Sequence, residues 1–343
     1  MDLNNIDKEE LLKVEKPLYL FELGYVEALK AVGDTIKFSN MKHFILGILA
    51  GIWIGVAFTA AFYASYALSA PSAQKILLGV VFATVLSPIF FVGGQFLTSY
   101  FFITFSVIKG SDKVMTLLRA FGFIYLGNII GQLFFAVLWQ FSSFGQDLEM
   151  NTYLYNVGVS RLFDIGKSAL ALSEFNTGNI SVKDYAITIL KCLFSAMMCG
   201  FCVTAALPAS KSVKGTNDLC ATIFLMSVMI FLFAISGYQH CVANWYLYIL
   251  ILFQAICQND ILMHGIHQHS SIMVFIYLLI FNLLPTLLGN FISAILLGWL
   301  LHLINKRMSN RYIAYNGAIN DVSRSLKLQK KVEEEYLNSK KNK

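Results

Sequence analysis

Long apolar runs separated by short polar links dominate the chain. Six of them, over roughly 44–68, 76–107, 114–141, 185–207, 219–253 and 272–304, are long enough to cross a bilayer as helices. A hydrocarbon core of about 30 Å asks for about 20 apolar residues. The second and fifth runs are too long for one such helix, and each is interrupted. One contains Phe91-Val92-Gly93-Gly94-Gln95-Phe96-Leu97-Thr98-Ser99, the other Ser236-Gly237-Tyr238-Gln239-His240-Cys241-Val242-Ala243-Asn244. Glycines with polar neighbours at membrane depth free backbone N–H and C=O groups that lipid cannot satisfy, so such breaks persist only where they line a cavity. The pattern predicts an all-α membrane protein of six transmembrane helices in which both breaks face a pore.

The breaks fall in the middle run of each half of the chain. The third runs of the halves echo one another, Leu126-Gly127-Asn128 against Leu288-Gly289-Asn290. With three spans to a half, the halves enter the membrane in opposite directions. An inverted 3+3 repeat with paired broken helices places a transport site near the midplane. Gly47, Gly51 and Gly55 recur at every fourth residue of the first run, a face that admits a close neighbour either within the protomer or at a subunit interface.

Basic residues of the short links, Lys109 and Lys113, Lys211 and Lys214, Lys306 and Arg307, fall on one side of six spans. That side is cytoplasmic by the positive-inside rule, and both termini join it. The links 69–75, 142–184 and 255–271 lie opposite. Residues 1–41 then form a polar N-terminal tail, too charged ahead of the first run for a signal peptide. Residues 42–306 form the pore domain, and 307–343 a C-terminal tail that is either solvated or a short amphipathic helix.

Composition narrows the class. Of 343 residues, 57% are hydrophobic and 13% charged, against about 45–50% and about 25% in soluble domains. The formal charge of +6 sits in the tails and two short links, so it reads as topology rather than as a nucleic-acid surface. Cys192, Cys199, Cys202, Cys220, Cys241 and Cys257 lie in or beside apolar runs and give no disulfide framework. Neither a Walker loop nor a dinucleotide fingerprint occurs, and no cofactor is expected.

His240 is the one ionisable side chain in the central portion of any run. Burying such a group in a membrane is expensive, which makes it a functional candidate by default; the ordinary alternative is a neutral, hydrogen-bonded core histidine. Asn244 follows four residues on, on the same side of the resuming helix. Thr98 and Gln95 bring a hydroxyl and an amide from the other break. Around them stand Phe82, Leu86, Phe96, Leu97 and Phe233. A histidine between apolar constrictions makes a poor water pore and a poor ion channel, and suits a small solute that can be made neutral. His264, His267 and His269, with Asp260, match no strong zinc spacing, so no metal is expected. Asn179-Ile180-Ser181 fits the glycosylation sequon on the outer side.

These motifs resemble those of the formate/nitrite transporter family over most of 44–304. The run Ser236–Asn244 is similar to that family's fifth-helix break with its central histidine, and Gly93–Ser99 to its second-helix loop ending in a pore threonine. Leu126-Gly127-Asn128 and Asn282-Leu283-Leu284-Pro285-Thr286-Leu287-Leu288-Gly289-Asn290 complete the set. The resemblance implies an aquaporin-like six-helix protomer, a homopentamer, and one pore per protomer for small monovalent anions such as formate, nitrite, acetate or lactate. Phe82, Leu86 and Phe233 would form the outer constriction and Phe96 with Leu97 the inner one, with His240, Asn244 and Thr98 between. The chain departs from the family at Gln95, where an acid is usual, and at Met197, where asparagine is frequent. The third inner-constriction residue falls on Gly200. The basic residue of the outer mouth falls on Ser181, with Lys183 two residues away.

Magnitudes favour passage of the neutral acid. A bare carboxylate in an apolar constriction costs on the order of tens of kcal/mol before relaxation. Protonating an acid of pKa about 4 at pH 7 costs roughly 4 kcal/mol. The expected mechanism is acid/anion symport, the proton coming from bulk water or through His240. The alternative is a non-transporting membrane-embedded enzyme or receptor that uses the outer histidines.

Overall fold

The computed structural model describes residues 20–161, 182–213, 218–257 and 275–341, and among them every regular element is helical. Helix α1 (Leu20–Thr35) corrects the expectation of a polar tail up to residue 41. Tyr25, Val26, Leu29 and Val32, followed by Ile36, recur at helical spacing and are buried, and α1 lies against the long helix α9 (Val182–Lys211). That apolar stripe outweighs the charges beside it.

Helix α2 (Asn40–Ser65) starts at Ser39, whose side chain accepts the Lys42 N–H and so caps it. It runs along α7 (Val114–Gln140), as α9 runs along α12 (Leu284–Ile304). A Cβ on Gly47 would come within 2.6 Å of the Ile124 carbonyl oxygen, and Gly51, Gly127 and Gly131 press the facing backbone in the same way. The glycine stripe is therefore spent inside the protomer, against a matching pair on α7. Gly51→Val is expected to force α2 and α7 apart, since its clash is with backbone and no side chain can yield. Overpacking of about 1–3 kcal/mol or more should show as a lowered melting temperature of the detergent-purified protein, while Gly122→Val, which meets open space, should melt like wild type.

The second run becomes α3 (Pro71–Ala83), α4 (Leu86–Phe91), an extended loop, α5 (Leu97–Phe101) and α6 (Thr104–Ile108). The link expected over 69–75 is shorter than that, because α3 begins at Pro71. The expected link 142–184 holds a 3-10 turn, Ser143–Gln146, and helix α8 (Leu148–Ser160). The fifth run divides into α10 (Leu219–Ile235) and α11 (Ala243–Cys257). Gly93 (φ 116°) and Gly237 (φ 68°) turn the chain at the two breaks, with left-handed backbone that only glycine adopts freely.

Among the described residues, five helices are long and apolar enough to cross a membrane: Asn40–Ser65, Pro71–Phe91, Val114–Gln140, Tyr185–Lys211 and Phe275–Ile304. The fifth run offers two shorter apolar helices, Leu219–Ile235 and Ala243–Phe253.

Helix α13 (Lys306–Lys341) replaces the short C-terminal helix or solvated tail with a rod of 36 residues. Its first turns are fastened to α1. Tyr312 donates to the Leu29 carbonyl at 2.9 Å, and Ser309 Oγ meets Tyr25 Oη at 3.0 Å and His302 Nδ1 at 2.6 Å. Burial pushes the ionisation of Tyr25 and Tyr312 above the ordinary tyrosine value, so both hydroxyls remain neutral. The two terminal segments thus close one end of the bundle together.

Candidate functional site

Each break is held by one asparagine, and the two do so identically. Asn128 Oδ1 accepts the Leu97 N–H at 3.2 Å, while its Nδ2 donates to the carbonyls of Gln95 (2.8 Å) and Gly47 (3.0 Å). Asn290 Oδ1 accepts the Cys241 N–H at 2.9 Å, and its Nδ2 donates to the carbonyls of Gln239 (3.1 Å) and Ala196 (2.7 Å). A single buried amide thereby satisfies the backbone groups that each interruption frees. The repeated Leu-Gly-Asn is this pair of anchors, seen from the sequence.

His240 is 5% exposed and stands where the breaks meet. Its Nδ1 accepts the Ala243 N–H at 3.0 Å, and its Nε2 lies 3.2 Å from Thr98 Oγ1. A nitrogen that accepts carries no hydrogen, so the tautomer that fits this geometry is neutral with its proton on Nε2. Phe233 stacks on the imidazole at 5.5 Å between ring centres, and Phe82 meets Phe233 edge-on at 6.0 Å.

Two spaces open on either side of these rings. A cavity of about 490 Å³ extends from Thr35 and Phe38 near α1, past Gln95, Phe96 and Leu86, to His240. A smaller one of about 20 Å³, room for one water, lies among Arg161, Gly237 and Asn244. Phe82, Phe233 and His240 border both, and so form the wall between them. Phe96 borders the large cavity while Leu97 is buried in the core. Gly200 is pressed against Ser293 and Asn290, so it brings no bulk toward Phe96.

Arg161 is the functional candidate that sequence reasoning missed. It follows the last residue of α8 and reaches the second break, where one guanidinium nitrogen donates to Gln239 Oε1 at 3.1 Å and to Asn244 Oδ1 at 2.9 Å. Its Nε is buried without a partner. Asn244 gives its own N–H groups to Gln239 Oε1 and Asn282 Oδ1, so its amide is committed to this network. Lys183 lies exposed near the start of α9 and borders neither cavity. At the first break Gln95 Oε1 sits 2.9 Å from Nδ1 of the fully buried His43, whose Nε2 lies 3.3 Å from the Ile36 carbonyl.

His264, His267, His269, Asp260 and the sequon at Asn179 fall outside the described residues. Among the described residues no group of three His, Cys, Asp or Glu side chains could hold a metal.

In sequence and in fold the chain is similar to known proteins. A family model described as formate/nitrite transporter matches residues 25–304. The uncharacterized transporter YwcJ of Bacillus subtilis is 24% identical over 276 residues, covering 78% of this chain and 90% of its own. The formate channel FocA of Haemophilus influenzae is 27% identical over 230 residues, covering 65% and 72%. A solved pentameric formate channel with formate bound superimposes with a TM-score of 0.59 at 20% identity, over 77% of this chain and 97% of that one. The fold is the aquaporin-like one of these channels.

Proposed function

Because the chain belongs to the formate/nitrite transporter family, we propose that it is a membrane channel or transporter for small monovalent anions and their conjugate weak acids, of the formate, nitrite, acetate and lactate type. Membership in a family of channels and transporters sets aside the enzyme and receptor alternative. The observation that carries the reading is His240, set in the wall between two spaces with one nitrogen committed to Ala243 and the other beside Thr98.

In this reading Arg161 attracts the anion at the outer mouth, with Lys183 adding to the field further out. Protonation by water neutralises the anion there. The acid then passes Phe82 and Phe233, exchanges hydrogen bonds with His240 and Thr98, and leaves through the large cavity past Leu86 and Phe96 to release its proton. His240 acts as a donor from Nε2 and not as a relay: taking up a second proton would require Nδ1, which faces the Ala243 N–H. Gln95, an amide at the position where the family resemblance implies an acid, sits beside His43 and puts no fixed negative charge at the first break.

The assembly that goes with this mechanism is a homopentamer with one pore per protomer. The two helices of the fifth run together make one crossing, giving six spans with both termini cytoplasmic. The pore domain is 42–306, flanked by the terminal segments 1–41 and 307–343, whose helices α1 and α13 extend the bundle on that side.

The experiment is uptake of labelled formate, acetate, lactate, nitrite and chloride into proteoliposomes at two pH values. Weak-acid uptake is expected to rise about tenfold per unit of falling pH above the acid's pKa. Chloride, which has no neutral form in that range, should stay low at both. Chloride flux equal to formate flux and independent of pH would overturn the neutral-acid route.

A further inference from the structure

The polar cluster behind Arg161 turns on a residue that the transport path leaves out. Asn282 is fully buried in the π-helical turn Leu278–Leu283 that precedes α12, a backbone geometry that is rare and frequent at functional sites. Its Nδ2 lies 2.8 Å from the carbonyl oxygen of Arg161, 2.8 Å from Cys192 Sγ and 3.3 Å from Gln239 Oε1. Its Oδ1 accepts from Asn244 Nδ2 at 3.1 Å and from the Tyr248 hydroxyl. Asn282 therefore grips the backbone of Arg161 and also both side chains, Gln239 and Asn244, that hold the guanidinium. It borders neither cavity, so it meets no permeant itself.

The position matters because of where Arg161 stands. It comes after α8 ends, its N–H still reaching Gly158 at 3.1 Å, and the bond to Asn282 is what fixes its carbonyl. We propose that Asn282 is the positioning residue for Arg161. It aligns the guanidinium at the pore mouth for anion capture, an inference that rests on the reading of Arg161 given above. A charge held in place by a buried amide loses no ordering entropy when the anion arrives, and that gain appears in affinity.

The test measures initial uptake of labelled formate against concentration, in proteoliposomes of the full chain, for wild type, Asn282→Ala, Asn282→Asp, Arg161→Ala and Arg161→Ala with Asn282→Ala. Asn282→Ala is expected to raise the half-saturating concentration about three- to tenfold, the weight of one lost hydrogen bond, with the maximal rate close to wild type. In the Arg161→Ala background the same change should add nothing, because residues that act as a unit are non-additive. Asn282→Asp keeps the acceptor for Asn244 and Tyr248 and loses the donor to Arg161, so it should show the same shift even where the alanine variant fails to assemble. Wild-type saturation in both Asn282 variants, a loss confined to maximal rate, or a loss additive with Arg161→Ala would overturn the proposal while leaving Arg161 as the capture group. Wild-type saturation in Arg161→Ala would overturn that reading, and the proposal with it.

Discussion

Replacing His240 with phenylalanine is expected to abolish weak-acid uptake in protein that still folds. The site favours the swap sterically, since the imidazole already stacks on an aromatic ring, Phe233, at 5.5 Å. What disappears is chemical: the Nε2 donor beside Thr98 and the acceptor for the Ala243 N–H. An acid entering the wall of Phe82, Phe233 and residue 240 would leave its polar groups unpaired, at roughly 1–3 kcal/mol for each. One such group slows passage about fivefold to 150-fold, and loss of the partner for both carboxyl oxygens takes the rate toward background. The measurement is labelled formate uptake at matched membrane abundance, with size-exclusion profiles to show that the assembly persists. His240→Gln, whose amide can donate, should recover part of the rate. Unchanged uptake in a well-assembled His240→Phe protein would remove this side chain from the mechanism.

The site was half legible in the sequence, and the division has a physical cause. Features made by a few adjacent residues could be read directly. Gly93 and Gly237 mark breaks because glycine alone tolerates their backbone angles, and an isolated histidine in an apolar run marks a site because its burial needs a reason. Features made by residues far apart in the chain could not. Arg161 lies in the long link between the third and fourth runs, where no spacing to a span fixes a residue's place, so the sequence points to Ser181 and Lys183 instead. The available signal was local: Asp147 followed by Met150 and Leu154 reads as a capped amphipathic helix, and Asp147 does accept the Met150 N–H. That helix carries Arg161 back to the second break.

The glycines of the first run show the same division. Their spacing announced a close approach but could not name the partner. Gly127 and Gly131, four apart on the third run, were the matching half. Helix α1 went unread because its apolar stripe is short and stands beside a charged segment, so its burial depends on α9, which only the folded chain brings near.

The anchors Asn128 and Asn290 separate folding from transport. Asn128→Leu would strip partners from the Leu97 N–H and from the carbonyls of Gln95 and Gly47. Asn290→Leu would do the same to the Cys241 N–H and the carbonyls of Gln239 and Ala196. Each stranded buried group costs about 1–3 kcal/mol, and three together consume much of the 5–15 kcal/mol by which folded proteins typically persist. Both variants are expected to lose the monodisperse, detergent-stable species, and equally so, because the two amides make equivalent sets of bonds. Asn128→Asp and Asn290→Asp, which keep the acceptor and lose both donors, should fall between leucine and wild type. The check is the melting temperature and the monodisperse fraction of each purified variant. A leucine variant that melts within a few degrees of wild type would mean that the freed groups at that break find water in the cavity, and the break would then be held by its lining rather than by its anchor. Against this, His240→Phe strands only the Ala243 N–H, at about 1–3 kcal/mol instead of three such losses, so it should melt nearer wild type and show its main loss in transport; the two substitutions distinguish the residues that build the interruption from the one that uses it.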